Sequence, residues 1–205
     1  MKTIAILDDY QSVALKMADW SRLDGRVKIK VLNRYIGDRN ELAGELTDVS
    51  AIVCNGERTK VTAELIAALP KLELIVTSGM HNSSIDYAAA DARGIPVCGT
   101  QTMGYPTAEL TVAMMLGWCR HLPAEVASLK AGGWQTRLGI GVNGKTLGIV
   151  GYGRIGKLVA KAGIAMGMNV LALSRSLAPE KAAEDGVTAA DLDTLLRNSD
   201  FVSIH

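Results

Sequence analysis

Short runs of β-branched and aliphatic residues recur along this chain of 205 residues, each separated from the next by room for a helix. TIAIL, VKIKVL, AIVC, LELIV and IPVC succeed one another through the first hundred residues. Between them lie SVALKMADW, ELAGEL, TAELIAALP and SIDYAAADARG, each with apolar residues at helical spacing. Apolar strands alternating with helical segments predict a parallel sheet whose crossover helices cover its faces. Several of the helical segments stop at proline or glycine, the residues that end a helix. Residues 1–100 are therefore expected to form one compact α/β unit.

A hydrophobic fraction of 48% with only 4% aromatics suits this small-residue packing better than an aromatic-rich all-β fold. The 22 basic and 21 acidic residues are scattered and leave a formal net charge of +1. That balance excludes a broad electrostatic footprint for nucleic acid or an anionic membrane surface. Cys54, Cys98 and Cys119 are odd in number and outside any CxxC spacing, so reduced thiols are expected, not a disulfide framework or a zinc site. The opening MKTIAILDDY reads as a first strand, not a signal sequence, and the uncharged stretch from Leu110 to Cys119 is too short to span a bilayer. The expectation is a cytoplasmic protein with neither membrane nor nucleic-acid partners and no metal.

From Thr107 to about Lys130 runs the strongest helix signal, opened by Pro106 and expected to be kinked or divided at Pro123. AGGWQTRLGIGVNG then breaks into a glycine-rich loop before TLGIV restarts the strand rhythm. MNVLALS reads as a second strand of this second unit, LAPEKAAEDG and AADLDTLLRN as helices, and DFVSIH as a third strand. Met114, Met115, Met166 and Met168 read as core fillers, and Trp20, Trp118 and Trp134 as core or interface residues. Asp86 is expected to cap the helix of YAAADARG, while adjacent Asp8 and Asp9 are aimed apart by strand alternation.

Gly151, Gly153 and Gly156 in VGYGRIG make a G-x-G-x-x-G directly after a strand and at the mouth of a helix, the setting this spacing needs to cradle a dinucleotide. The first glycine permits the tight turn, the second lets backbone approach a pyrophosphate, and the third allows helix and strand to pack closely. Free amides at the helix start, aided by its dipole, then face the anion. At the end of the following strand, where an NAD site usually carries a carboxylate for the ribose, this chain has Ser174 and Arg175. Serine with arginine favours a 2′-phosphate and so NADP; the alternative is an Arg175 that only stacks loosely on adenine.

Four stretches together resemble the D-isomer-specific 2-hydroxyacid dehydrogenases: LPKLELIVTSGMHNSSIDYAAADARGIPVCGT, PTAELTVAMML, GKTLGIVGYGRIGKLVAKAGIAMGMNVLA and the terminal NSDFVSIH. The resemblance covers essentially the whole chain. It implies a flavodoxin-like substrate domain over residues 1–100 and, over 101–205, the N-terminal part of a Rossmann NAD(P)-binding domain. A homodimer through the cofactor domain is implied as well. By the same resemblance the turn Ser78-Gly79-Met80-His81 offers amides to a 2-oxo or 2-hydroxy acid carboxylate, which Arg58 also approaches. Tyr152, Arg154 and Ile155 line the pyrophosphate, and His205 touches the cofactor. His81 stands where many members have a second glycine and reads either as a substrate contact or as a solvent-facing loop histidine. The family's catalytic arginine, acid and acid/base histidine are expected beyond His205, which leaves the activity of these 205 residues alone in question. The resemblance also carries a second class of function, a non-catalytic NAD(P)-sensing binding protein related to the C-terminal-binding corepressors.

Overall fold

The computed structural model describes residues 1–205 and contains two compact units, Met1–Thr102 and Met103–His205. In the first, strands β1 (Lys2–Ile6), β2 (Val27–Val31), β3 (Ala51–Cys54), β4 (Leu74–Thr77) and β5 (Val97–Gly99) form one sheet in the order β2-β1-β3-β4-β5. Every pairing is parallel. This is the flavodoxin-like order, in which the chain reverses direction across the sheet between its first and third strands.

Helices α1 (Arg39–Leu46), α2 (Ala63–Ala68) and α3 (Tyr87–Ala92) each open on a side-chain cap. Asp38 accepts from the Glu41 amide at 2.8 Å, Thr62 from Leu65 at 3.3 Å and Asp86 from Ala89 at 2.9 Å. Each cap satisfies an amide that the helix leaves without a partner. Ile52, Ile75, Leu46, Leu65 and Leu69 are fully buried in a core shared by sheet and helices. Burying one such side chain contributes about 1.5–3 kcal/mol.

The segment SVALKMADW is not an α-helix: only Ala14–Lys16 forms a 3₁₀ turn, and it buries nothing. Ser12 sits in the left-handed region at φ 54° and both Asp9 carboxylate oxygens are taken by the amides of Val13 and Ala14, at 3.0 Å each. A segment with no core to cover has no reason to extend beyond the capped turn.

In the second unit, α4 (Tyr105–Cys119) and α5 (Leu122–Lys130) precede β6 (Thr146–Val150), α6 (Arg154–Ala165), β7 (Asn169–Leu173), α7 (Pro179–Glu184), β8 (Thr188–Ala189), α8 (Leu192–Asn198) and β9 (Phe201–Ile204). The sheet is again all parallel, in the order β8-β7-β6-β9. This is the 3-2-1-4 arrangement of a Rossmann half. DFVSIH supplies the fourth strand and not the third, because the two-residue β8 intervenes. The long helix breaks at His121, in the left-handed region at φ 52°, while Pro123 lies in the first turn of α5 where a missing N–H costs nothing.

Met168 is buried, but Met114 is 66% exposed and Trp118 and Trp134 are 77% and 73% exposed, so these three are surface residues. All three cysteines are unpaired, and burial together with the charge of Asp8 pushes the Cys54 thiol up to about 12. No helix is long and apolar enough to cross a membrane.

Candidate functional site

The second sheet reverses its strand order between β6 and β9, and ligands of open α/β sheets bind beyond the carboxyl ends of strands at such a point. A cavity of about 600 Å³ lies there, within the size range of cofactor sites. It is lined by Val150, Gly151, Gly153, Arg154 and Ile155 from the β6–α6 turn, by Leu173, Ser174 and Arg175 from the end of β7, and by His205 after β9. No acidic side chain is among these residues.

The three glycines serve different purposes. Gly151 has φ 101°, and a Cβ there would stand 2.1 Å from the His205 carbonyl oxygen. At Gly156 a Cβ would meet the Gly151 carbonyl oxygen at 2.4 Å, so the close helix–strand approach excludes any side chain. Gly153 is another case: its φ of −100° is open to any residue, and a Cβ would meet nothing within 4 Å. The protein's own packing therefore does not require a glycine at 153, and its bare backbone faces the cavity.

Helix α6 also opens unlike its neighbours. α8 is capped by Asp191, whose carboxylate accepts from the Thr194 amide at 2.8 Å, and α4, α5 and α7 each carry proline in the first turn. α6 has neither, its N-cap being Gly153 with no side-chain bond. The first-turn amides of a helix, here including Ile155 and Gly156, have no helical acceptor. The positive end of the dipole lies behind them and Arg154 and Arg175 stand on the cavity wall, an arrangement with the chemistry to receive an anion.

Tyr152 is placed apart from the rest of the loop. Its side chain is buried beneath it, and the hydroxyl donates to Asp185 Oδ2 at 3.1 Å. Lys157 Nζ donates to the same oxygen at 2.8 Å and stands 5.4 Å from the Tyr152 ring centroid. The Lys157 and Tyr152 hydrogen bonds hold the Asp185 carboxyl below its ordinary range, while burial and Asp185 push the Tyr152 phenol up to about 12. His205 is exposed at the cavity wall, its Nε2 3.0 Å from Ser203 Oγ, and partial burial lowers its pKa.

In the first unit, the turn after β4 carries Gly79 at φ 101°, with Met80 and His81 exposed beyond it. Gly99 at the end of β5 lets this turn pass, since a Cβ there would lie 2.7 Å from the Gly79 carbonyl oxygen. The Gly79 amide already donates to Thr100 Oγ1 at 3.2 Å. Buried Asn82 braces the turn, donating to the Gly56 carbonyl and to Thr77 Oγ1, both at 2.9 Å. Ser78 Oγ accepts from the Gly56 amide at 2.9 Å, so the turn and the segment carrying Arg58 are laced together. His81 stacks on Tyr87 at 5.3 Å between centroids.

Arg58 is itself fixed. One guanidinium nitrogen donates to the Tyr10 hydroxyl at 2.9 Å, the other to the Asn55 carbonyl at 3.0 Å, and its carbon lies 4.6 Å from the Tyr10 ring centroid. Sequence reasoning missed Val150 and Leu173 on the cavity wall, and Tyr10, Asn82, Lys157 and Asp185, which hold the candidate site residues through hydrogen bonds. Tyr10 follows DD at the end of a strand, a position where a partner could have been sought, whereas nothing local marks Asp185.

Residues 112–205 match the family model of the D-isomer specific 2-hydroxyacid dehydrogenase NAD binding domain. The chain is 41% identical over 172 residues to D-3-phosphoglycerate dehydrogenase of Archaeoglobus fulgidus, covering 82% of this chain and 32% of that protein. It is 36% identical over 187 residues to hydroxypyruvate reductase of Thermotoga maritima, covering 89% of this chain and 59% of the relative. The crystal structure of phosphoglycerate oxidoreductase from Vibrio cholerae superposes over 100% of this chain and 66% of its own, with a TM-score of 0.90 and 34% identity. The chain thus spans about a third to two thirds of the length of these relatives. On these matches it belongs to the D-isomer-specific 2-hydroxyacid dehydrogenase family.

Proposed function

We propose that this chain provides the cofactor cradle and the carboxylate-recognition turn of an NAD(P)-dependent oxidoreductase that interconverts a 2-oxo acid and a D-2-hydroxy acid. The observation that carries the reading is the cavity at the strand-order reversal, lined by no acidic side chain, with the uncapped start of α6 and the bare backbone of Gly153 on its wall. When bound, a nicotinamide dinucleotide supplies or accepts the hydride. Family relatives named for D-3-phosphoglycerate and hydroxypyruvate support the substrate class.

The chain's own residues have separable tasks in this reading. The first-turn amides of α6 and Arg154 hold the pyrophosphate. Ser174 and Arg175 meet a ribose 2′-phosphate, which a carboxylate in their place would repel, so NADP is preferred over NAD. In the first unit Arg58 and the turn amides of Met80 and His81 hold the substrate carboxylate, an anion suited to a planar guanidinium and paired N–H groups. Tyr10 keeps the guanidinium oriented before the acid arrives. Reduction of a 2-oxo acid also requires a proton donor for the developing alkoxide. None of His81, His121 and His205 is assigned that task.

The test is titration of the purified chain with NADPH and NADH by cofactor fluorescence, followed by 2-oxo acid reduction assays of the full-length gene product. Tighter NADPH binding that falls about tenfold in Arg175→Ala is expected. Tighter NADH binding overturns the NADP preference, and binding of neither cofactor overturns the whole reading. Cofactor binding without turnover of any 2-oxo acid by the full-length product identifies a sensing protein instead.

The homodimer belongs to the same proposal. Leu110, Met114 and Trp118 form an exposed stripe at four-residue spacing on α4, and Leu122, Val126 and Leu129 are exposed on α5. A second copy of the chain laid on this stripe would bury it.

A further inference from the structure

Tyr152 is attached to the segment that follows β7 at both of that segment's ends. Its backbone amide donates to the Leu173 carbonyl at 3.1 Å, and the amide of Gly151 donates to the same oxygen at 2.8 Å. Its hydroxyl donates to Asp185, which is the C-cap of α7. The segment from Ser174 to Glu184, which packs Leu177 and Ala182 on the core and places Ser174 and Arg175 on the cavity wall, is thus also bonded to the glycine loop at both of its ends. Lys157, one turn into α6, grips the same Asp185 oxygen, so the far anchor is shared by the loop and the helix it opens.

The near anchor is backbone and would survive any side chain at 152. The loop's own share of the far anchor exists only because this residue carries a phenolic hydroxyl. Phenylalanine would fill the same buried space and leave α7 held by packing and by the exposed Lys157 pair, which is worth little by itself.

We propose that Tyr152 and Asp185 are positioning residues: their hydrogen bond sets the distance between the phosphate loop and the Ser174–Arg175 wall, and so governs affinity for the cofactor's 2′-phosphoribose. The inference rests on the dinucleotide reading of the cavity. It goes beyond that reading by assigning a role to two side chains that do not themselves line the cavity.

The unsubstituted protein, Tyr152→Phe, Asp185→Ala, Asp185→Asn and the Tyr152→Phe/Asp185→Ala double variant are compared by NADPH and NADH titration and by amide hydrogen exchange without cofactor. Tyr152→Phe and Asp185→Ala are each expected to weaken NADPH binding about three- to tenfold and NADH binding less. The double variant should be no weaker than the worse single one, because Asp185→Ala already removes the bond that Tyr152→Phe removes, together with that from Lys157. Asp185→Asn retains an acceptor oxygen and should recover most of the loss. Exchange should rise in residues 174–184 while the amides of β6 and β7 stay protected, a pattern that general destabilisation does not produce. Unchanged affinity and exchange in Tyr152→Phe overturn the inference alone. Faster exchange with unchanged affinity for both cofactors also overturns it, since the tether then positions nothing that the cofactor touches. Failure of the unsubstituted protein to bind either cofactor overturns the cavity reading and this inference together.

Discussion

The glycines of VGYGRIG look alike in sequence, yet their surroundings separate them sharply, and the separation can be measured. Gly151→Ala places a Cβ 2.1 Å from a carbonyl oxygen at φ 101°, and Gly156→Ala places one 2.4 Å from another. Backbone strain of about 1–2 kcal/mol at Gly151 and overpacking of about 1–3 kcal/mol at either position should lower stability. Gly153→Ala should leave stability within about 0.5 kcal/mol, because its Cβ meets nothing within 4 Å. Under the proposed function it should nevertheless weaken dinucleotide binding by about tenfold or more, since that reading puts the pyrophosphate's approach in this open space. Chemical denaturation paired with cofactor titration on the three variants checks this. A strongly destabilised Gly153→Ala would show that the space is internal and not a ligand's. The motif and a separate task for each glycine were legible in the sequence, but the contacts that exclude a side chain at Gly151 and Gly156 were not, because only the folded sheet brings the His205 and Gly151 carbonyls near.

Secondary-structure elements were legible in proportion to how much they bury. All five strands of the first sheet stand out as β-branched runs because each lies in or beside a core, whereas SVALKMADW has helical spacing and no core to cover. Strand β8 has two residues, too few for any period, so DFVSIH was counted one strand early. Asp185 is 33 residues from Tyr152 and could not be paired with it from spacing. Another long-range pairing joins the first residues of β6 to those of β9. Asp200 accepts from the Thr146 amide at 2.8 Å and from Lys145 Nζ at 3.0 Å, while its own amide donates to the Thr146 carbonyl at 2.9 Å.

The Thr146 backbone bond, then Lys145, hold the Asp200 carboxyl below its ordinary value of 3.8. A carboxylate with a lowered folded pKa stabilises fully above its unfolded value, and that contribution disappears as pH falls through the folded one. The melting temperature of Asp200→Asn should therefore lie below that of the unsubstituted protein at neutral pH. The gap should narrow only below about pH 4. Thermal scans across that range check it, and a gap independent of pH would mean that the charge of Asp200 is not what fastens β9.

At the scale of the whole chain, the buried residues divide into two clusters with no member in common, one around Ile52 and Ile75 and the other around Leu147, Ile149 and Val170. Each cluster is enclosed by its own parallel sheet and helices, and each unit carries its own candidate binding surface. A domain with its own core can in principle fold alone, and local stability follows the core that a segment belongs to. Ile52→Ala should remove about 2–5 kcal/mol from the first unit, a large part of a domain's stability of about 5–15 kcal/mol. Hydrogen exchange should then quicken across β1, β3 and β4 while β6 and β7 keep their protection, and NADPH affinity should hold. Ile149→Ala should reverse the pattern and cost cofactor binding, because Ile149 lies one residue before the strand end that lines the cavity. If either substitution loosens both sheets equally, the chain unfolds as a single cooperative unit, and the separate cores do not act as separate domains.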